Sequence, residues 1–252
     1  MALERYREKR DFSKSPEPTG DAAPGRGRRG KPQPLRFCVQ KHLAGHLHYD
    51  LRLEHRGVLL SWAVPKGPSL DPKTKRFASQ VEDHPLDYGT FEGVIPEGYG
   101  AGIVMLWDEG TWTPESPDVD AALAKGDLKF TLDGYKLKGS WVLVRTKGYT
   151  REGQKPTGPS WLLIKHRDDW SSPELDITTF APLSVKSGDD FPAILAATDP
   201  EVWPSHRPSA AGASGAMLRD IIEQAAAMKL AELEAAAAAR PAKRTRTKRS
   251  SS

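Results

Sequence analysis

The stretch His42-Leu-Ala-Gly-His46-Leu-His48-Tyr-Asp50-Leu-Arg52-Leu-Glu54 gathers three imidazoles, two carboxylates and a guanidinium. From His46 onward polar and apolar residues alternate without a break. Side chains on a strand alternate between faces. Leu47, Tyr49, Leu51 and Leu53 therefore share one face, and His46, His48, Asp50, Arg52 and Glu54 share the other. The first face suits a core. His48 and Asp50, two residues apart, reach a single cation, and a bend at Ala44-Gly45 returns His42 to the same point. Two imidazoles and a carboxylate form an open divalent-metal site with positions left for water and a substrate oxygen. Arg52 cannot ligate a cation, but its planar fork matches a pair of phosphate oxygens. A metal beside a phosphate-reading Arg points to phosphoryl chemistry. His46 ranks below His42 and His48 as a ligand. The bland alternative is a polar strand face whose imidazoles bond carbonyls, and His-x-Asp with a distant His is also the iron-binding pattern of non-haem oxygenases.

A second cluster, Glu82-Asp-His84-Pro-Leu-Asp-Tyr88, offers a His that can transfer a proton or stabilise phosphate charge, and a Tyr hydroxyl that can donate a hydrogen bond. Lys66 and Arg76 are candidates to complete a cationic pocket. Gly98-Tyr-Gly-Ala-Gly102 has no following Lys-Ser/Thr and opens no helix, so it reads as a turn and not as a nucleotide-binding loop.

These residues need extended elements to hold them. Short runs rich in Val, Leu, Ile, Phe, Tyr and Trp recur at Arg36–His42, His46–Glu54, Val58–Val64, Arg76–Val81, Gly102–Trp107, Lys129–Leu132, Tyr135–Leu137, Ser140–Thr146 and Ser160–Lys165. Strands at this spacing indicate a mainly β fold, a compact antiparallel barrel or sandwich with few short helices. Within it only Asp118–Ala124 reads as helical. Four regions are expected: a charged, extended N-terminal arm (1–35), a β-domain (36–182), an irregular segment and linker (183–215), and an Ala-rich helix over Ala216–Ala239 followed by a basic tail (216–252 together). That helix is expected to pack against the domain or stand in solvent, with a partner or oligomer helix as the alternative.

Composition narrows the classes. The chain has 252 residues and a formal charge of +4, with a mean hydropathy of −0.57. Residues 240–252 hold six of the 37 Lys and Arg, leaving 31 against 33 Asp and Glu, so the basicity is concentrated in a tail suited to nucleic-acid phosphates. No apolar run approaches a membrane span, and no apolar segment follows the charged N-terminus as in a secretory signal. The expectation is a cytoplasmic, nucleoid-associated protein without a membrane partner. The single cysteine, Cys38, forms no internal disulfide and sits in an apolar run, as a small core residue rather than a nucleophile.

Several blocks together resemble the 3′-phosphoesterase domain of bacterial DNA ligase D and its stand-alone relatives. They are Phe37-Cys-Val-Gln-Lys-His42, His48-Tyr-Asp-Leu-Arg52, Leu59-Leu-Ser-Trp-Ala-Val-Pro-Lys-Gly-Pro68, Val81-Glu-Asp-His-Pro-Leu-Asp-Tyr88, Phe91-Glu-Gly-Val-Ile-Pro96, Trp107-Asp-Glu-Gly-Thr-Trp112 and Trp161-Leu-Leu-Ile-Lys-His-Arg-Asp-Asp169. The resemblance covers about residues 9–182. It implies a β-barrel-like fold and a Mn2+-dependent enzyme of DNA end joining. Such an enzyme removes a 3′-terminal ribonucleoside and then the 3′-phosphate from a primer-template, leaving a 3′-hydroxyl. It implies that His42, His48 and Asp50 hold the metal, that Arg52 and His84 contact the scissile phosphate with Tyr88 close by, and that Lys66, Arg76 and Glu82 support them. An Arg-Asp pair near the family's N-terminus corresponds to Arg10-Asp11. The His/His/Asp set alone admits other divalent transition metals. His84 is also a candidate to protonate the leaving oxygen. The attacking group stays open between water, free or activated by the ion, and a substrate 2′-hydroxyl. No Lys-Asp-Gly adenylation signature is present. The expectation is thus a stand-alone domain that meets a DNA ligase or other end-joining proteins non-covalently. A non-catalytic DNA-end-binding module is the alternative, and an iron oxygenase a more remote one.

Overall fold

The computed structural model describes residues 3–14, 16–21, 34–95, 100–146, 159–197 and 213–238. The basic tail, residues 22–33 and most of the linker fall outside these. The elements are helix α1 (Glu4–Glu8) and strands β1 (Leu35–Leu43), β2 (Leu47–His55), β3 (Val58–Val64), β4 (Arg76–Gln80) and β5 (His84–Pro85). A 3-10 turn (Leu86–Thr90), β6 (Gly93–Ile95), β7 (Gly102–Pro114), helix α2 (Val119–Lys125), β8 (Asp127–Gly134), β9 (Lys138–Arg145) and β10 (Ser160–Lys165) follow. Helices α3 (Ile177–Phe180), α4 (Phe191–Ala197) and α5 (Ala213–Ala238) end the described chain.

The strands run β1-β2-β3-β4-β10-β9-β8-β7, and β7 returns to pair with β1. This closes an eight-stranded antiparallel barrel, one of the two folds that the alternation of short apolar runs and turns allows and the one that the family resemblance implies. Closure removes the sheet edges that would otherwise invite association. Inward positions follow the period-2 pattern. Leu51 and Leu53 of β2, Trp62 of β3, Leu128, Phe130 and Leu132 of β8, Trp141 and Leu143 of β9 and Trp161 of β10 belong to one buried cluster. β3 is apolar at every position but Ser61 because both its faces are covered. Leu60, Trp62 and Val64 join the main core, while Leu59 on the other face packs with Tyr6 and Tyr88 in a second cluster.

Three expectations are corrected. Tyr135–Leu137 is the turn of the β8–β9 hairpin and not a strand. Leu137 is buried, but Gly134 N donates to its carbonyl at 2.9 Å and so closes the turn. The N-terminal arm is not simply extended, because Glu4–Glu8 forms a helical turn anchored by the fully buried Tyr6. Residues 183–215 are not uniformly irregular, because α4 buries Phe191, Ile194 and Leu195. Its start is marked by Asp190, whose carboxylate accepts from Ala193 N at 3.1 Å. The helix over Asp118–Ala124 is found as α2, with Asp118 accepting from Ala121 N and Gly126 closing it in the left-handed conformation. In α5, Ile221 and Ala225 are buried and Met217, Leu218 and Ile222 lie against the core, whereas Met228, Leu230 and Leu233 are exposed.

Candidate metal centre and phosphate pocket

β1 and β2 form a hairpin in which His42 lies directly opposite His48, Gln40 opposite Asp50, and Cys38 opposite Arg52. β3 adds Ser61 opposite Arg52. These polar residues occupy the outer face of the barrel wall, back to back with the core-facing Leu51 and Leu53. Gln40, His42, Asp50, Arg52 and Ser61 are nonetheless buried and His48 is half-buried, because β5, the 3-10 turn and the N-terminal segment cross over that face.

The ligand atoms of His42, His48 and Asp50 all lie within 4.8 Å of one another. Backbone carbonyls orient both imidazoles. His42 Nε2 lies 2.9 Å from Gly100 O, and His48 Nδ1 lies 2.9 Å from His46 O. A carbonyl only accepts, so those nitrogens carry the protons. The opposite nitrogens then turn lone pairs toward Asp50 Oδ2, at 3.7 Å for His42 Nδ1 and 3.6 Å for His48 Nε2. Three electron-pair donors converge with no proton assigned between them. A cation resolves that arrangement, and donors bound about 2.1 Å from one ion stand roughly 3.0–3.4 Å apart. The residues fit a divalent metal. Burial lowers the His42 pKa. Burial of His48 is outweighed by the Asp50 carboxylate, which raises its pKa. Burial of Asp50 is outweighed by Arg52 and His48, which hold its carboxyl well below the usual range.

Arg52 is fixed by three hydrogen bonds: Nε to Gln40 Oε1 at 2.7 Å, Nη1 to Ser61 Oγ at 2.9 Å and Nη2 to Asp50 Oδ2 at 3.2 Å. Gln40 is fixed in turn by donating to Tyr88 O and Phe91 O, both at 2.9 Å. A guanidinium has five N–H groups. These three bonds leave one on each terminal nitrogen, beside the triad, for a pair of anionic oxygens. The Tyr88 ring lies against the guanidinium, with Cζ 4.8 Å from its centroid.

His84 Nδ1 lies 2.8 Å from Glu82 O, and Arg10 Nη2 lies 3.1 Å from His84 Nε2. Arginine only donates, so Nε2 is the acceptor and the ring is neutral as placed. Burial together with the Arg52 and Arg10 charges pushes its pKa well below the ordinary value. Arg10 also binds Glu17 at 2.8 Å and Glu82 at 3.1 Å. Tyr6 stacks edge-on against His84, with centroids 5.0 Å apart, and its hydroxyl donates to Pro18 O at 2.7 Å. Tyr6, Arg10 and Glu17 are thus part of the pocket wall.

The structure gathers His42, His48, Asp50, Arg52, His84, Tyr88, Glu82 and Arg10. It does not bring in three other candidates. Asp11 is exposed and accepts from Ser13. Lys66 is exposed. Arg76 lies opposite Leu163 on β10, with a buried Nε that has no partner among the described residues. The His46 imidazole is exposed and only its carbonyl serves the triad. Cys38 is buried and its thiol pKa is pushed up to about 12, chiefly by burial, so it is unreactive as expected. Gln40, Ser61, Tyr6 and Glu17 were not singled out from sequence. Gln40 lies two residues before His42 on the same strand face, and Ser61 is the one polar residue in an apolar strand, so both carried a signal. Tyr6 and Glu17 carried none.

The model of the DNA ligase D 3′-phosphoesterase domain family matches residues 40–145. Residues 40–145 belong to that family. The match holds the triad, Arg52, Glu82, His84 and Tyr88, while Arg10 and Glu17 precede it. A multifunctional non-homologous end joining protein LigD from Pseudomonas aeruginosa is 47% identical over 84% of this chain, which spans 24% of that protein. A LigD from Mycolicibacterium smegmatis is 38% identical over 74% of the chain and 23% of its own length. The LigD of Mycobacterium tuberculosis, named a non-homologous end joining DNA repair protein, is 45% identical over 58% of the chain and 18% of its own length. The chain thus spans no more than about a quarter of these relatives. Among the described residues, no helix accompanying the phosphoesterase domain is long and apolar enough to cross a membrane.

Proposed function

We propose that this chain hydrolyses phosphoesters at DNA 3′ ends in end-joining repair, using a divalent ion held by His42, His48 and Asp50. The observation that carries the proposal is the convergence of three donors within 4.8 Å, with an Arg52 nitrogen 3.2 Å from one of them. The family match and the relatives' names direct the chemistry to DNA 3′ ends. The substrates are a primer-template bearing a 3′-terminal ribonucleoside or a 3′-phosphate, and the product is a 3′-hydroxyl. The ion is Mn2+, with other divalent transition metals compatible with the donor set. When bound, the ion supplies neutralisation of charge on a phosphate oxygen.

The chain's own groups do the rest. Arg52 presents its two remaining N–H groups to the other phosphate oxygens and stabilises the charge that grows in the transition state, a contribution on the order of 10²–10³ in rate. Asp50, Gln40 and Ser61 hold it in aim. His84 Nε2 accepts from Arg10 in the resting arrangement. A phosphate oxygen entering between them would receive the Arg10 hydrogen bond, and would leave His84 Nε2 to take up or pass a proton. Tyr88 walls the pocket beside Arg52 and limits water. Arg10 is oriented by Glu17 and Glu82. Lys66 and Arg76 act farther out, toward the nucleic acid, and Asp11 caps the turn that follows Arg10.

The test is incubation of the full chain with Mn2+ and a primer-template ending in a 3′-ribonucleotide or a 3′-phosphate. The expected result is release of the nucleoside and then of phosphate, with His48→Ala and Arg52→Ala each slowed on the order of 10² or more. Intact substrate with the parent chain under several divalent metals would overturn the proposal.

A further inference from the structure

The residues after β3 and after β10 form two loops that meet, with Ser172 N donating to Leu70 O at 3.0 Å. Between them lies a cleft of about 520 Å³ whose walls include Asp71, Lys73, Arg167, Asp168 and Ser171. Its carboxylates are already committed. Asp71 accepts from Lys73 N at 2.9 Å and from Thr74 Oγ1 at 2.8 Å. Asp168 accepts from Ser140 N at 2.7 Å and Trp170 N at 2.9 Å, and pairs with the fully buried Lys165 at 2.5 Å. Lys165 cancels the Asp168 charge within the wall. The Lys73 ammonium and the Arg167 guanidinium are different. Both residues are exposed, and among the described residues neither head group has a hydrogen bond or an ion pair. One carboxylate, Asp71, faces two cations, so the cleft is left net positive.

The cleft opens at the same end of the barrel as the metal triad. His42 and His48 pair next to the β1–β2 turn, Tyr49 pairs with Val64 at the end of β3, and Arg76 at the start of β4 pairs with Leu163 near the end of β10. From β2 to β10 is three interstrand steps. At about 4.8 Å each that is roughly 14 Å around the wall, or about four nucleotides at 3.4 Å per step along one strand.

We infer that the Lys73–Arg167 cleft is a backbone-phosphate subsite that grips DNA about four nucleotides from the 3′ end being processed. This rests on the reading of the triad as a DNA 3′-end site and adds a second anchor to it. A metal pocket alone reads only the terminus. A cationic pair at this spacing makes affinity depend on the duplex behind it.

The test compares the full chain with a Lys73→Ala/Arg167→Ala double variant. Duplex binding is measured by fluorescence anisotropy between about 50 and 200 mM salt. The kcat/KM is measured for a 3′-phosphate on a primer-template and on a dinucleotide. Each phosphate contact contributes about 0.9 to the slope of log affinity against log salt. The variant is expected to lose about 1.8 from that slope and to bind duplex on the order of tenfold more weakly at low salt. Its dinucleotide kcat/KM and its Tm should stay at the parent's values. A slope and duplex affinity equal to the parent's would overturn the inference, as would an equal loss on dinucleotide and duplex. A parent chain that binds duplex with the steeper slope yet hydrolyses neither substrate would support the subsite while removing the hydrolase reading.

Discussion

Gln40 is fully buried and bonds to three partners at once. Gln40→Leu keeps the volume nearly unchanged, so cavity formation contributes little. It strips the acceptor from Arg52 Nε and the donors from Tyr88 O and Phe91 O. A buried group left without its partner costs about 1–3 kcal/mol, with charged groups at the upper end. Partial relaxation of three such groups gives a loss of about 3 kcal/mol, or roughly 6–12 °C in Tm for a domain of this size. The functional effect has a different origin. Arg52 loses one of its three restraints and swings, and misplacement of a charge-stabilising group by about 1 Å reduces turnover roughly 10²-fold. Arg52 also donates to the metal ligand Asp50, so a displaced Arg52 should change Mn2+ affinity as well, by about twofold or more. Differential scanning fluorimetry, steady-state phosphate release and Mn2+ titration read the three quantities separately. If the variant melts within about a degree of the parent and turns over at the parent's rate, Arg52 is not held as described.

Asp108 is fully buried and accepts from Lys136 N and Leu137 N, and burial raises its pKa to about 6. Burial also lowers Lys136 to about 8, so desolvation outweighs attraction for both. A carboxyl whose folded pKa exceeds its unfolded value binds its proton more tightly in the folded state. Its contribution is therefore present below about pH 4 and is lost as pH rises through about 6. The stability of the parent relative to Asp108→Asn should fall by roughly 3 kcal/mol between these limits, and a difference independent of pH in urea melts would contradict this. In Gly102→Ala the new Cβ would lie 2.2 Å from Leu43 O, beside the end of β1 that carries His42. The variant should fail to fold or melt far below the parent, and a parent-like Tm would refute the close approach. In Arg10→Ala the Glu17 carboxylate, 1% exposed, loses its Arg10 partner, and the N-terminal segment should detach. Limited proteolysis should then cut within residues 3–21 while the barrel stays intact, and a digestion pattern like the parent's would count against the docked arm.

The hairpin that carries the triad was legible because two local signals agree. The strict alternation over residues 46–54 sets the faces, and Ala44-Gly45 supplies a short turn that makes His42 and His48 cross-strand neighbours. The regularly spaced apolar runs pointed to an antiparallel barrel or sandwich, and the family resemblance decided for the barrel. Contacts distant in sequence were not legible. Arg10 reaches His84 from 74 residues away, and nothing in the spacing of either residue announces the other. α4 was missed although Asp190 and Pro192 mark a helix start, because seven residues give too short a period to recognise. Arg76 was grouped with the active pocket as a cation, whereas the strand pairing that places it opposite Leu163 is a tertiary outcome. What covers the outer face that carries the site was hidden for a related reason. Polar residues on a strand face ordinarily signal solvent, and here the β5 crossing and the arm cover them.

The claim on which the account turns is that His42, His48 and Asp50 hold one divalent ion. Titration of the chelator-stripped chain with Mn2+, followed by loss of the free-ion electron paramagnetic resonance signal, tests it without reference to any substrate. The expected result is saturation at one tightly bound ion per chain for the parent and loss of that site in His48→Ala. A parent chain that leaves the free Mn2+ signal unchanged, or a His48→Ala chain that takes up the ion as tightly as the parent, would contradict the account.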